Sequence, residues 1–289
     1  MMKRVIRLTE SDLTRIVNRV LNESISKTTF DSLWNSYPKK SGKAGTGTEY
    51  TPDEFFKLII PDKFKSMRKA NPDSWANSCA AKMSAAFLGS GSPPGGTYKI
   101  ENDVKVGNTT LKKGSSFEPS SVAFKQILQN KFGEPTIVVD NDKGVAPKEI
   151  IGKKGAYFYE VSGWSNAAGH TDLWDGKQSA GNSHWESPGT LYFWQVPTQT
   201  QVNAKNCGWG NDNEGYKLSK WKCYDDPKKP SPAKNARKCG WGNDVEGYRK
   251  SKWKCYKDPA KPSPAKNAKK CGYGDNVIAY RKGGWKCKK

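Results

Sequence analysis

Residues 73–91 read DSWANSCAAKMSAAFLGSG. Most residues from Ala80 to Leu88 are good helix formers, and Gly89 is placed to end the run. Asn77 or Ser78 can cap its start, so Cys79 falls in the first turn of the predicted helix. There, unpaired backbone N–H groups and the helix dipole favour a thiolate and lower the thiol pKa. The same N–H groups can receive the oxyanion of a tetrahedral intermediate. A lone cysteine is as a rule inert core, so this placement matters only if a base faces it.

The chain has two histidines, His170 and His184. Residues 155–176 read GAYFYEVSGWSNAAGHTDLWDG. Residues 156–161 have strand character, 163–169 read as a loop, and HTDLW reads as the next strand, turning at Asp175-Gly176. A base on a strand facing a helix-borne cysteine is the arrangement a thiol nucleophile needs. On its own, His170 reads equally as a satisfied structural histidine.

Cysteine spacing separates a second role. Of the 7 cysteines, six lie beyond residue 200: Cys207, Cys223, Cys239, Cys255, Cys271 and Cys287, each 16 positions from the next. CGWGNDNEGYKLSKWKC, CGWGNDVEGYRKSKWKC and CGYGDNVIAYRKGGWKC are three copies of one unit at a 32-residue period. Units this short have little core and need a staple. One disulfide per copy is the simplest answer: Cys207–Cys223, Cys239–Cys255 and Cys271–Cys287, each contributing roughly 3 kcal/mol at this loop length. Zinc fits poorly, because the array has no CxxC pair and no histidine. Disulfides imply an oxidising place of work. The Pro/Lys/Ala-rich segments between copies are expected to be extended spacers.

Matching aromatics recur in every copy: Trp209, Trp241 and Tyr273; Tyr216, Tyr248 and Tyr280; Trp221, Trp253 and Trp285. From Cys207 to the end there are 22 Lys/Arg against 8 Asp/Glu, a net +14 out of +21 for the 289-residue chain. Rings beside positive charge suit sugar rings of an anionic polymer and also single-stranded nucleic acid. The plainer reading is that the rings fill small cores and the lysines keep them soluble. Three binding modules would add avidity.

No stretch approaches the roughly 20 apolar residues of a membrane span. The basic N-terminus lacks the apolar core of a secretory signal, so the expectation is synthesis in the cytoplasm without a signal peptide. Residues 9–23 read as an amphipathic helix, with Thr9 as cap, Asp12 completing a capping box, and Leu13, Ile16, Val17, Val20 and Leu21 at helical spacing. This leader is either packed on its own domain or a docking or loading tag. The expected organisation is thus a leader at 1–27, a globular domain at 28–200 and the repeats at 201–289.

The middle domain resembles the type VI secretion amidase effectors of the fourth family, relatives of the NlpC/P60 and papain-like peptidases. Four blocks carry the resemblance in order: FDSLWNSYP at 30–38, NSCAAKMSAAF at 77–87, GHTDLWDG at 169–176 and GTLYFWQVP at 189–197. It implies an α+β, papain-like domain with Cys79 as nucleophile and His170 as base, and no metal or organic cofactor. Family members hydrolyse the amide between D-glutamate and diaminopimelate in peptidoglycan stems. The family also carries an acid about a dozen residues past the histidine. Here that region reads KQSAGNSHW, so Asn182 is taken as the group orienting the imidazole, with Asp172 and His184 as alternatives. Beside such a domain, the repeats read as a peptidoglycan-binding tail. The resemblance implies action in a periplasm or an extracellular wall, as an injected toxin or a phage lysin. Expected partners are peptidoglycan, an immunity protein, and an injection-machine or virion component contacted through residues 1–27. The competing reading is a non-enzymatic, basic wall- or nucleic-acid-binding protein in which Cys79 is structural.

Overall fold

A computed structural model of the chain describes residues 28–161, 163–164, 167–224, 231–256 and 263–288. The leader helix expected at 9–23 lies outside them. The chain divides into two compact units, one up to Thr198 and one from Gln199 to Lys289. No helix among the described residues is long and apolar enough to cross a membrane.

Local signals start the first helices. Thr29 accepts from the Ser32 N–H and caps α1 (Phe30–Ser36), with the Ser32 hydroxyl closing the capping box. Thr51 and Glu54 form a second capping box on α2 (Pro52–Ile59), which has proline in its first turn. It leads through Ile60 into α3 (Pro61–Ala70).

The central element is α4 (Cys79–Gly89), in which every residue from Ala80 to Phe87 is buried. A helix hydrophobic around its whole circumference belongs inside a domain, and this one joins two cores. Met83 and Phe87 pack with Phe30, Leu33, Phe158, Leu173 and Trp194. Ala81 and Ala85 pack with Phe55, Phe56 and Phe117. The helix ends at Gly89, and the left-handed cap lies two residues on. Gly91, at φ +77°, takes the left-handed position, the Ser92 N–H donates to Phe87 O and the Gly91 N–H to Leu88 O. Gly89 instead permits close packing, since a Cβ there would lie 2.5 Å from Thr109 Oγ1 and 2.8 Å from Ser36 Cβ.

Two small antiparallel pairs, β1 (Tyr98–Lys99) with β4 (Ser116–Phe117) and β2 (Val104–Val106) with β3 (Thr109–Leu111), precede α5 (Ser121–Phe132). The main sheet is antiparallel. It comprises β5 (Ile137–Asn141), β6 (Gly155–Val161), β7 (His170–Trp174) and β8 (Gly189–Gln195) in the order β5-β8-β6-β7. His170 pairs with Tyr159 and Asp172 with Tyr157, and β7 is the edge strand of the sheet, with β6 as its one strand neighbour. A helix opening on a cysteine, packed on an antiparallel sheet that carries a histidine, is the papain-like α+β arrangement.

The second unit departs from the spacer expectation. Residues 232–238 form α8 (Pro232–Lys238) and residues 264–270 form α10 (Pro264–Lys270), both equivalent to α6 (Gln199–Asn206) of the first copy. Ser231 and Ser263 cap these helices ahead of a first-turn proline, so Ser-Pro-Ala here is a start signal and not linker sequence. Residues 225–230 and 257–262 lie outside the described residues. Each copy continues through a glycine turn into a short helix: α7 (Asn213–Leu218), α9 (Val245–Lys250) or α11 (Val277–Lys282). A disulfide then closes it, pairing Cys207–Cys223, Cys239–Cys255 and Cys271–Cys287.

Adjacent copies interlock through one repeated junction. Arg249 Nε donates to Asp212 Oδ2 at 2.7 Å, and its Nη2 to Glu214 Oε2 at 2.6 Å. One copy later, Arg281 makes the same contacts to Asp244 and Glu246. Asn211 Oδ1 accepts from the Val245 N–H at 2.9 Å, as Asn243 Oδ1 does from Val277 at 3.1 Å. Val245 packs over Gly210 and Val277 over Gly242, where a Cβ would approach the valine methyl to 3.0 and 2.9 Å.

Candidate active site

Ser78 caps α4 by backbone geometry alone, with no side-chain hydrogen bond to the first turn. The N–H groups of that turn therefore remain for Cys79 and whatever binds it. The Cys79 thiol is half-buried and is the one free cysteine. It sits against the β7 edge, where it meets His170.

Burial alone would push the Cys79 thiol up. The hydrogen bond and charge of His170, with the Thr171 and Ala80 N–H groups, outweigh it and hold the thiol below its usual value. The imidazole moves the opposite way. Burial favours its neutral form, but Asp172 and Cys79 together raise it to about 10. The two shifts belong to one coupled pair, each group favouring the charged form of the other.

Asp172 follows His170 by two positions, so both lie on one face of β7. His170 Nε2 is 3.7 Å from Asp172 Oδ2, and it is buried without a hydrogen-bond partner. That distance is ion-pair range and longer than a hydrogen bond. With Nε2 turned toward Asp172, the Nδ1 edge is left to serve the thiol. Asp172 is fully buried and fixed by two backbone donors, the Leu173 and Gly181 N–H groups, each at 2.7 Å.

The other two candidates for orienting the imidazole sit differently. Asn182 is exposed on the wall of the cleft. Its neighbour Gly181 makes the useful contact, through its N–H to Asp172. The His184 ring stands edge-on to His170, with centroids 4.8 Å apart. Burial and the charge on His170 push His184 below its ordinary value, so it forms a neutral wall.

Two hollows meet at the thiol. One, of about 340 Å³, is lined by Glu49, Lys82, Trp164, His170 and His184 among others. The second, of about 400 Å³, is lined by Trp75, Tyr98, Glu118 and Ser120 among others. Asn77, Cys79 and Gly169 belong to both. A chain laid through them would present one bond to Cys79 with substrate on either side.

Sequence reasoning missed the support around this pair. Tyr37 is buried, and its phenol is raised by burial and by the charges of Asp172, Glu49 and Cys79. A Cβ on Gly181 would meet Tyr37 Oη, Asp172 Oδ2 and Glu49 Oε1 within 3.1 Å. Glu49 bridges two buried ammonium groups, those of Lys39 and Lys82, and Lys82 also donates to Tyr50 O at 2.8 Å. Lys82 did carry a signal, being the one charge in a run of small apolar helix residues. Glu49 and Tyr37 carried none.

The aromatic residues singled out in the repeats fall into two groups. Trp209, Tyr216, Trp241, Tyr248 and Tyr280 are buried in the cores of their copies, and Tyr273 is partly buried. Trp221, Trp253 and Trp285 are exposed.

Residues 75–194 match the family model described as type VI secretion system (T6SS), amidase effector protein 4. No curated protein matches the chain. Among solved structures, it is similar to the effector Tae4 from Salmonella typhimurium, solved in complex with the immunity protein Tai4 from Enterobacter cloacae. That likeness has 21% identity and a TM-score of 0.42, covering 58% of this chain and 99% of that one. Tae4 from Enterobacter cloacae is similar at 19% identity and a TM-score of 0.40, over 58% of this chain and 96% of that one. The residues that match the type VI secretion amidase effector 4 family model, 75–194, include both Cys79 and His170.

Proposed function

We propose that the first unit hydrolyses stem-peptide amide bonds of peptidoglycan, between D-glutamate and diaminopimelate, with Cys79 as nucleophile. The observation that carries this reading is the thiol at the opening of α4 paired with a buried histidine whose far nitrogen faces a buried carboxylate. The Cys79 thiolate attacks the amide carbonyl carbon, and the first-turn N–H groups receive the charge that develops on its oxygen. His170, starting as imidazolium, gives its proton to the leaving amine as the C–N bond breaks. The neutral imidazole then takes a proton from water, whose oxygen attacks the thioester and releases the acid product, with the sulfur leaving as the Cys79 thiolate. Asp172, rather than Asn182, orients the imidazole and stabilises its cation.

The second unit retains the enzyme on the wall. Action in the periplasm of a target cell fits the amidase-effector model that residues 75–194 match, and an immunity protein is the expected inhibitor. The test is digestion of purified diaminopimelate-type peptidoglycan by the native protein and by Cys79→Ala, with mass spectrometry of the fragments. Native-only cleavage between D-glutamate and diaminopimelate is the expected result. Equal fragment release by both proteins would remove Cys79 from the chemistry. Cleavage at another bond would correct the substrate assignment alone.

A further inference from the structure

The repeats keep two kinds of tryptophan. The first kind, Trp209 and Trp241, is core: each is about 5% exposed and its indole N–H donates to a backbone carbonyl, Lys222 O or Lys254 O, at 2.9 Å. The second kind, Trp221, Trp253 and Trp285, is 50%, 43% and 43% exposed. A tyrosine accompanies two of them outside, Tyr224 at 41% and Tyr256 at 44%.

The backbone under the exposed tryptophans is unusual. Trp221, Trp253 and Trp285 have φ of +63°, +60° and +63°, and the residues before them are also left-handed: Lys220 at +56°, Lys252 at +58° and Gly284 at +67°. For a bulky residue this conformation is unfavourable. All three copies hold it, and each ring stands near-perpendicular to its neighbouring tyrosine, 5.0–5.2 Å between centroids in each copy. Strain kept to hold an indole half in water is strain spent on presentation, because folding alone favours burying it.

The rings also belong to one body. The junctions described above join the copies, and Trp285 of the third copy lies 6.4 Å from Trp241 of the second, whose ring in turn lies 5.4 Å from Tyr256. Exposed lysines border the rings: Lys222, Lys254 and Lys286 each follow a tryptophan directly.

We infer that the exposed tryptophans Trp221, Trp253 and Trp285 form a single stacking stripe on an interlocked array, and that its ligand is the glycan strand of peptidoglycan. Sugar rings stack on the indoles while the lysines meet carboxylates of the stem peptides. This deepens the wall-anchoring part of the proposed function and rests on it; the rings alone would equally stack on single-stranded nucleic acid.

The test uses the full chain carrying Cys79→Ala, so that the wall is not consumed. Its co-sedimentation with purified sacculi stripped of accessory polymers is compared with that of the same protein carrying W221A, W253A and W285A. Intact disulfides by mass spectrometry and an unchanged melting profile establish that the array has folded. The stripe predicts at least a tenfold loss of affinity. If both proteins sediment equally, the stripe is overturned while wall anchoring stands. If neither sediments and only oligothymidylate binds, anchoring and stripe both fail and the array is a nucleic-acid binder, with amidase activity on soluble muropeptides judged separately. Should the triple variant misfold, the intact parent is titrated with soluble glycan fragments. A saturable change in tryptophan emission supports the stripe, and its absence overturns it.

Discussion

Asp172 carries the sharpest residue-level consequence. The reactive state needs thiolate and imidazolium together. kcat/KM should therefore rise through the depressed thiol titration and fall through the imidazolium titration, which Asp172 and Cys79 hold up at about 10. Removing the carboxylate weakens the imidazolium, so Asp172→Asn should move the alkaline limb to lower pH and reduce kcat by about 10²-fold or more. Asn182→Ala should leave that limb in place, with at most a few-fold effect. A pH–rate profile of the two variants decides between them, and an unmoved alkaline limb in Asp172→Asn would return the orienting role to another group. A second expectation concerns Glu49, which lies between the Lys39 and Lys82 ammonium groups, whose side chains are 4% and 8% exposed. Glu49→Gln leaves two buried cations facing each other, at a cost of about 3 kcal/mol. Urea melts of native and variant protein measure it, and a change within 0.5 kcal/mol, the usual span of surface substitutions, would show that the cluster is solvated in solution.

At the scale of elements, α4 is fixed at both ends by contacts that leave little room. Gly89→Ala would put a Cβ within 2.6 Å of two Thr109 side-chain atoms and 2.8 Å from Ser36 Cβ. Thr109 is not free to give way, since its hydroxyl donates to Ser36 O. The substitution should destabilise the unit by about 1–3 kcal/mol, readable as a lowered Tm, despite alanine's better helix propensity. A raised Tm would mean that propensity wins and the packing relaxes. The same elements show what the sequence made legible. The helix opening on Cys79 and the strands around His170 follow from local composition and alternation. The helices at 232–238 and 264–270 were read as spacer, because Pro, Lys and Ala offer no apolar stripe. Their burial comes from Ala236 and Ala268, small residues that seat against other parts of their copies. The proposed mechanism prefers Asp172 to Asn182 for a reason that spacing does not show. The turn after β7 brings Ser179 back beside Trp174 and the Gly181 N–H onto Asp172, a tertiary return that residue spacing does not reveal.

At the scale of the molecule, the repeat copies differ at their junction residues. Arginine stands at 249 and 281, where a preceding copy offers an acid pair, but the first copy has Lys217 at that place. The acids of the first two copies are replaced by Asn276 and Ile278 in the third. Val245 and Val277 pack on the glycine of the copy before, and the first copy has Asn213 instead. A first copy without the junction residues is expected of a stacked array. Stability in this unit thus rests on junctions and on three disulfides, each closing a 16-residue separation worth roughly 3 kcal/mol. The first unit has no disulfide among its described residues, and its one cysteine must stay reduced to act as a nucleophile. A thiol reductant should therefore split the two activities. Release of fragments from intact sacculi should fall several-fold as the array unfolds and avidity is lost. Turnover of a soluble stem peptide should hold or rise. The measurement is the ratio of the two rates across a dithiothreitol series. If both rates fall together, the first unit depends on the array for its fold or its site, and wall retention is not what the repeats supply.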